Sequence, residues 1–522
     1  MTIPKGGGKT QVLIIGAGVT GIGLARDLAL RGVSCLLVEK KDFNAGASGG
    51  NHGLLHSGAR YVLSDPASAR ECREENELLQ RLAPQCIEPC GGLFVAVEGD
   101  DENFIARFPL LCEKAGIPTR SLDPKEAREL EPVLSEKVIA AYAVEDGSID
   151  PFRLSLDNLA QAEEKGCRFL PYSRVLALER AGSRIRKVFL EETRRGETFA
   201  VEAEVVVNAA GAWAGQVAAL AGLSVPVLFS KGSLVITPYR LAQRVINRLR
   251  PPSDADILVP GGTVSILGTT SIRIDDLEAA RPEVEEVEAM IEDAKAMVPL
   301  LERVRYIRAY CGVRPLVGGQ GDGDDRSISR GFALLDHSRE GLENFITITG
   351  GKLTTYRLMA EKTADRVCRL LGIDRPCLTR EIPLPPSSMG GWTEPAGVPR
   401  HQPDRLFQDS LVCECEAVPE EALDSLLASF SSAGIPVDLP AVGLRSRIGK
   451  GRCQGGFCGP RAAALLFDRR PTTPREARQG LREFLRGRWK GVRPVLWGEQ
   501  LAQAELSEAV HLGFLGLEGE EG

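Results

Sequence analysis

"QVLIIGAGVTGIGLARDLALRG" (Gln11–Gly32) decides the fold. The run Val12–Ile15 is apolar without alternation, as in a parallel strand covered on both faces. Gly16, Gly18 and Gly21 then follow the spacing G-x-G-x-x-G, a helix runs to about Arg31, and Gly32 stops it. "VSCLLVEK" supplies a second buried strand that leads into Glu39. Such a unit lets backbone approach a pyrophosphate, places a helix N-terminus beside its charge, and sets a carboxylate about 20 residues on to accept from ribose hydroxyls. The turn alone does not separate FAD from NAD, and a glycine turn made only for helix packing is the alternative.

The 522 residues suggest roughly three folding units. With 64 basic against 71 acidic residues, net charge −7, the chain lacks the positive field that duplex nucleic acid demands. Glycines interrupt the apolar run from Val12, so no signal peptide is read there and a cytoplasmic protein is expected. The uncharged stretch Val205–Ser230 contains Asn208, Gln216 and Pro226, which reads as strand, turn and helix rather than a membrane span. Thirteen cysteines in a cytosolic chain argue against a disulfide framework.

The predicted fold class is α/β: a Rossmann-like dinucleotide-binding domain, FAD-binding on the resemblance given below, interleaved with an α+β substrate domain, plus a small helical cysteine-bearing domain. The expected boundaries are 10–65, 150–225 and 330–372 for the first and 66–149 with 226–329 for the second. A Pro/Gly-rich linker is expected over 373–405, the cysteine domain over 406–468, and a tail over 469–522. "VLALERAGSRIRKVFLEE" reads as a hairpin, and "FITITGGKLTTYRLMAEKTADRVCRLLG" as strand, glycine turn and long helix in which Thr354 or Thr355 caps the start. In the tail, "RGRWKGVRPVLW" combines cations with tryptophans, suiting either a partner- or membrane-docking segment or a plain amphipathic surface.

The order of "GAGVTGIGLARDLALRG", "LLVEK", "NHGLLHSGARY", "DPFRL", "VVNAAG", "GVRPL" and "TGGKLTTYRLMAE" resembles the FAD-dependent glycerol-3-phosphate dehydrogenases over nearly the whole chain. With the cysteine-bearing C-terminus it is similar to the large, A-type subunits of the anaerobic enzyme. The resemblance implies FAD held by Gly16, Gly18, Gly21, Glu39, Lys40, Ser48, Val175, Ala210, Gly211, Gly351, Lys352, Leu353 and Thr354. It also implies oxidation of sn-glycerol 3-phosphate to dihydroxyacetone phosphate by hydride transfer to flavin N5.

A phosphate dianion calls for guanidinium handles. The resemblance assigns Arg60, Arg314 and Arg330 to that role, with Tyr61 as a substrate contact and Lys352 as a further cation. Removing the alcohol proton needs a base with a pKa near working pH, and His56 is the leading candidate, His52 the less certain one. Aerobic relatives carry a histidine after "KGS" where this chain has Leu234. Either His56 acts, or Lys352 with Arg314 stabilises an alkoxide while water takes the proton. The competing functions are a 2-hydroxy-acid dehydrogenase on the same scaffold and a non-catalytic electron-transfer subunit.

Cys413 and Cys415 form C-x-C; 37 residues later Cys453 and Cys458 form C-x4-C. Four thiolates suit zinc or an iron–sulfur cluster, and the tight C-x-C favours the latter. The unit resembles bacterioferritin-associated-ferredoxin-type domains that hold [2Fe-2S]. The implied electron route runs from FAD through the cluster to additional subunits and membrane quinone, with the protein peripheral on the inner face of the membrane.

Overall fold

The computed structural model describes residues 8–317, 328–387, 410–433, 437–470 and 473–517. Gly8–Ile15 sits in an eight-stranded sheet between Cys35–Val38 and Glu197–Asn208, parallel to both. Phe345–Gly350 extends the parallel set beyond Asn208, and Arg168–Leu170 extends it beyond Val38. Parallel strands require cover on both faces, and the side-chain alternation of one strand supplies both. Val12 and Ile14 enter a core shared with the helices Val19–Leu30, Pro151–Glu164 and Tyr356–Leu371, whereas Leu13 and Ile15 face the hairpin Ser173–Ala181 and Arg184–Glu192.

The second sheet has nine strands. Leu228–Ile236 pairs antiparallel along its whole length with Arg308–Leu316, which brings Arg314 opposite Ser230. Gly92–Val97 and Val138–Val144 continue this sheet, so two stretches of chain far apart in sequence build one layer. Leu234, at the "KGS" position, is 1 % exposed and packs against Gly268 inside the sheet. It does not face the cavity described below.

Two boundaries differ from the sequence reading. Residues 373–387 pack on the nucleotide-binding unit: Thr379 Oγ1 donates to Asp27 at 3.0 Å, and Leu384 is buried. The remainder of the expected linker, 388–405, lies outside the described residues. The segment after 468 is not a tail. Pro474–Trp489 is a helix opened by a capping box between Thr473 and Glu476, and Leu481, Phe484 and Leu485 share a core with Cys413, Phe430, Val442 and Cys458. The tryptophan-bearing segment docks internally: Ala309 N donates to Gly491 O at 2.6 Å, and Val495 is buried in the substrate-domain core.

Candidate functional site

A cavity of about 710 Å³ runs from the first glycine turn to the inner face of the second sheet. At one end Gly16 has φ +108°, and a Cβ there would lie 2.6 Å from Ala209 O. Only glycine allows this approach. Gly18 precedes the first turn of the helix, whose N-terminus faces the cavity and favours an anion. Glu39 accepts from Ala17 N and Lys41 N, both at 3.0 Å, so it fastens the turn as well as lining the cavity. Burial raises its pKa first, and those amides oppose the shift.

Lys40, Ser48, Val175, Ala210, Gly211, Gly351, Lys352 and Leu353 all line the same cavity. Gly21 does not; a Cβ on it would lie 1.9 Å from Gly16 O, which makes it a packing glycine behind the turn. Thr354 is also behind the wall, fully buried, with its hydroxyl accepting the His56 amide at 3.2 Å. Thr355 occupies the N-cap position of the Tyr356 helix, but neither threonine caps it through a side chain.

At the other end the decapeptide His52–Tyr61 places its side chains on one wall. Gly58 has φ +98°, and Ser57 N donates to the buried Asp146 carboxylate at 2.7 Å. These two features turn the chain so that His56 and Tyr61 meet, Nε2 to hydroxyl at 3.4 Å. Arg60 is fixed by Asp256 at 2.7 Å and Ser253 O at 3.3 Å. Arg314 donates to Thr270 O at 3.1 Å and to the Thr269 hydroxyl. Lys352 Nζ donates to Arg330 O at 2.8 Å and stands 4.9 Å from the centre of the Tyr61 ring. His52, His56 and all four cations line the cavity.

This concentration of positive charge has a titration consequence. Burial first, then Arg314 and Arg60, hold His52 down at about 3. Burial, His52, Lys352 and Arg60 hold His56 well below the usual histidine range. His56 is therefore neutral and able to accept a proton, while burial keeps Tyr61 a protonated donor.

Sequence reasoning missed the residues that aim this wall: Asp146, Asp256, Thr269 and Thr270. No local pattern marks them, because each acts on a partner far away in the chain. Tyr310 was also missed; its hydroxyl donates to Asn51 O at 2.7 Å and ties the substrate strand to the loop before the decapeptide.

The four C-terminal cysteines form a second site. Cys458 lies in hydrogen-bonding range of Cys413 and Cys453, and Cys453 in that of Cys415. Amides of Glu416 and Gly449 point at the Cys413 sulfur, and those of Gly455 and Phe457 at the Cys453 sulfur. Cys458 hydrogen bonding is the leading cause that lowers the Cys413 and Cys453 thiols, whereas the Cys458 thiol itself is pushed up. A Cβ on Gly451 would lie 2.3 Å from Cys415 Cβ. Among the described residues no three His, Cys, Asp or Glu side chains are arranged to hold a single metal ion.

A glycine-turned nucleotide unit opening into a cationic pocket with a neutral histidine defines a flavin-type oxidoreductase. The model of the FAD-dependent oxidoreductase (DAO) family matches residues 11–366, and the chain belongs to that family. It is 45 % identical to the A subunit of the anaerobic glycerol-3-phosphate dehydrogenase of Escherichia coli (strain K12), covering 98 % of each chain. The A1 subunit of the anaerobic glycerol-3-phosphate dehydrogenase of Haloferax volcanii is 41 % identical, over 96 % of this chain and 90 % of that one. The FAD complex of glycerol-3-phosphate dehydrogenase from Bacillus halodurans shares the fold, with a TM-score of 0.64 at 21 % identity, over 95 % of this chain and 97 % of that one.

Proposed function

We propose that the protein oxidises sn-glycerol 3-phosphate to dihydroxyacetone phosphate. The observation that carries this reading is the gathering of Arg60, Arg314, Arg330 and Lys352 on the wall that also holds His56, in a cavity continuous with the glycine turn. Two relatives that match almost the whole chain bear the name of that dehydrogenase. The cavity fits FAD because Gly16, Gly18, Gly211, Gly350 and Gly351 line it and let backbone approach a ligand, and a helix N-terminus faces the space where a pyrophosphate belongs. Bound there, FAD supplies the hydride acceptor.

The chain's own residues do the rest. Arg60, Arg314 and Arg330 hold the phosphate dianion and so orient the C2 hydrogen toward the ring. The dianion offsets part of the cationic field on His56 and moves its pKa back up, toward the value a base needs to take the C2 hydroxyl proton. Tyr61, still protonated, donates to His56 or to substrate oxygen. Lys352 stabilises negative charge developing on that oxygen.

We further propose that Cys413, Cys415, Cys453 and Cys458 hold a [2Fe-2S] cluster that takes electrons from the reduced flavin singly. The mutual contact of the thiols and the amides aimed at their sulfurs support it, and zinc is the less favoured occupant. Relatives that bear the name of one lettered subunit imply further subunits, which would carry electrons to membrane quinone from a protein peripheral on the inner face of the membrane. No helix among the described residues is long and apolar enough to cross a membrane.

The test is anaerobic addition of glycerol 3-phosphate to the purified protein, with lactate as control. Bleaching of the flavin by the phosphate substrate alone is expected. Equal bleaching by lactate, or none by either, overturns the assignment.

A further inference from the structure

Among the cations near the cysteine quartet, Arg308, Arg447, Lys450 and Arg488 are not equivalent. Arg447 is neutralised by Glu416. Lys450 lies over the Phe152 ring at 4.4 Å, with Asp150 and then Glu416 as the opposing charges. Arg308 and Arg488 differ from both: among the described residues no carboxylate contributes to the environment of either. Arg308 donates to Gln454 Oε1 at 3.3 Å, next to Cys453 in the chain, and its Nε is buried with no hydrogen-bond partner. Arg488 donates to Gly449 O at 3.1 Å, and the amide of that same glycine points at the Cys413 sulfur. Burial pushes both guanidiniums down, Arg308 opposes Arg488, and Arg488 lies close enough to Cys458 for a negative charge on that sulfur to favour it.

Two half-buried cations, each with no carboxylate partner among the described residues, are costly to hold together. An anionic centre on the neighbouring sulfurs removes that cost. Four thiolates around two ferric ions and two sulfides carry a net negative charge, which grows when one electron is added. Nearby positive charge therefore favours the reduced form more than the oxidised one.

We propose that Arg308 and Arg488 set the reduction potential of the four-cysteine centre, raising it so that the centre accepts electrons from the reduced flavin. The transfers would pass one electron at a time from the reduced flavin to the centre, each taking one ferric ion to ferrous, while the flavin N–H bonds give up their protons to solvent. A one-electron carrier protein then reoxidises the centre. Placement fits the role. Arg308 lies two residues before Tyr310 on one strand, hence on the same face, and Tyr310 reaches the flavin-side loop at Asn51. The same face thus connects both redox sites. This inference rests on the [2Fe-2S] reading above.

The experiment uses the full-length holoprotein, purified without oxygen, and Arg308→Gln, Arg488→Gln, Arg308→Lys and Arg488→Lys. Iron and acid-labile sulfide are counted first, and each cluster is then titrated potentiometrically with its EPR signal as readout. The glutamine variants are expected to shift the cluster to lower potential, the lysine variants to stay close to the parent, and the flavin potential to remain unchanged. Unchanged cluster potentials in both glutamine variants with iron retained overturn the inference and leave the cluster reading standing. Equal shifts in lysine and glutamine variants also overturn it, because charge would not be the cause. A parent protein with zinc or no metal on the cysteines overturns both.

Discussion

Arg60 reaches Asp256 across 196 positions of sequence, Nη2 to Oδ2 at 2.7 Å, and that carboxylate also accepts from Arg250 at 2.8 Å and Ser253 N at 2.6 Å. The aspartate is 1 % exposed. One buried anion thus aims a cavity-lining cation and ties the loop that carries it to the second sheet. An asparagine in its place preserves shape and removes charge. Asp256→Asn is expected to raise KM for glycerol 3-phosphate about tenfold, equivalent to about 1.4 kcal/mol, with a smaller effect on kcat. Steady-state kinetics reads this directly, and an unchanged KM shows that Arg60 is aimed by other contacts.

The turn before Arg60 is as demanding as its anchor. A Cβ on Gly58 would lie 2.2 Å from Ala69 O at φ +98°. Gly58→Ala is expected to cost about 2 kcal/mol or more and to displace His56 and Arg60 together. A lowered melting temperature with parallel losses in kcat and kcat/KM is the expected result. A fully active, equally stable variant contradicts the geometry.

Much of this wall was legible because the decapeptide carries its own chemistry: two histidines, an arginine and a tyrosine within ten positions. Its supports were not. Thr354 lies 298 residues from His56 and Asp146 lies 89 from Ser57, so neither contact leaves a local spacing. The glycine turn and its two strands were readable for the opposite reason, since the apolar runs and the glycines lie together. The C-terminal helix was readable but masked: Thr473-Pro-Arg-Glu476 is a capping box, and Leu481, Phe484 and Leu485 form a stripe. Dense arginine over 475–488 made the segment look like a solvated tail.

The histidines predict a pH dependence with a definite sign. His56 is held below 6.5 in the free enzyme, so once the second ionisation of the substrate phosphate, at about pH 6, is divided out, kcat/KM is expected to stay flat as pH falls through 6.5 and to decline only in more acidic solution. Substrate dianion moves the His56 pKa up, so the acid limb of kcat lies at higher pH than that of kcat/KM. Stability follows the same logic. An unfolded histidine titrates near 6.5 and His52 in the fold near 3, so the unfolded chain binds more protons between those values. The His52 contribution is complete above 6.5 and is lost as pH falls toward 3. Activity profiles and denaturation midpoints across pH 4–8, about the histidine range, check both. Superposed acid limbs of kcat and kcat/KM rule out the coupling.

Gly451 gives the cysteine site its own test. Its missing side chain leaves room for Cys415, whose Cβ would otherwise lie 2.3 Å away. Gly451→Ala is expected to lose most bound iron and sulfide while keeping FAD, because the nucleotide turn lies in a separate core. Iron analysis beside the flavin spectrum reads both centres. Full iron content in the variant shows that Cys415 does not depend on that space.

The cysteine-bearing unit must also be held in place, and Arg445 performs that task. Its guanidinium makes two bonds to Asp42, one at 2.8 Å and a shorter one, and lies 5.0 Å from each of the Phe43 and Phe430 rings. Asp42 and Phe43 belong to the nucleotide-binding unit and Phe430 to the cysteine unit, so one side chain clasps the two. Arg445→Met retains bulk but leaves Asp42 buried without its cation, a loss of about 3–5 kcal/mol. Asp42→Asn in the same chain is expected to recover part of that loss, since the stranded charge is then gone. Limited proteolysis is expected to release the C-terminal unit from Arg445→Met faster than from the parent. Glycerol 3-phosphate still bleaches the flavin, because no substrate-binding residue has changed, but electrons leave it more slowly. A melting temperature and digestion pattern equal to the parent's place the docking energy elsewhere in the interface.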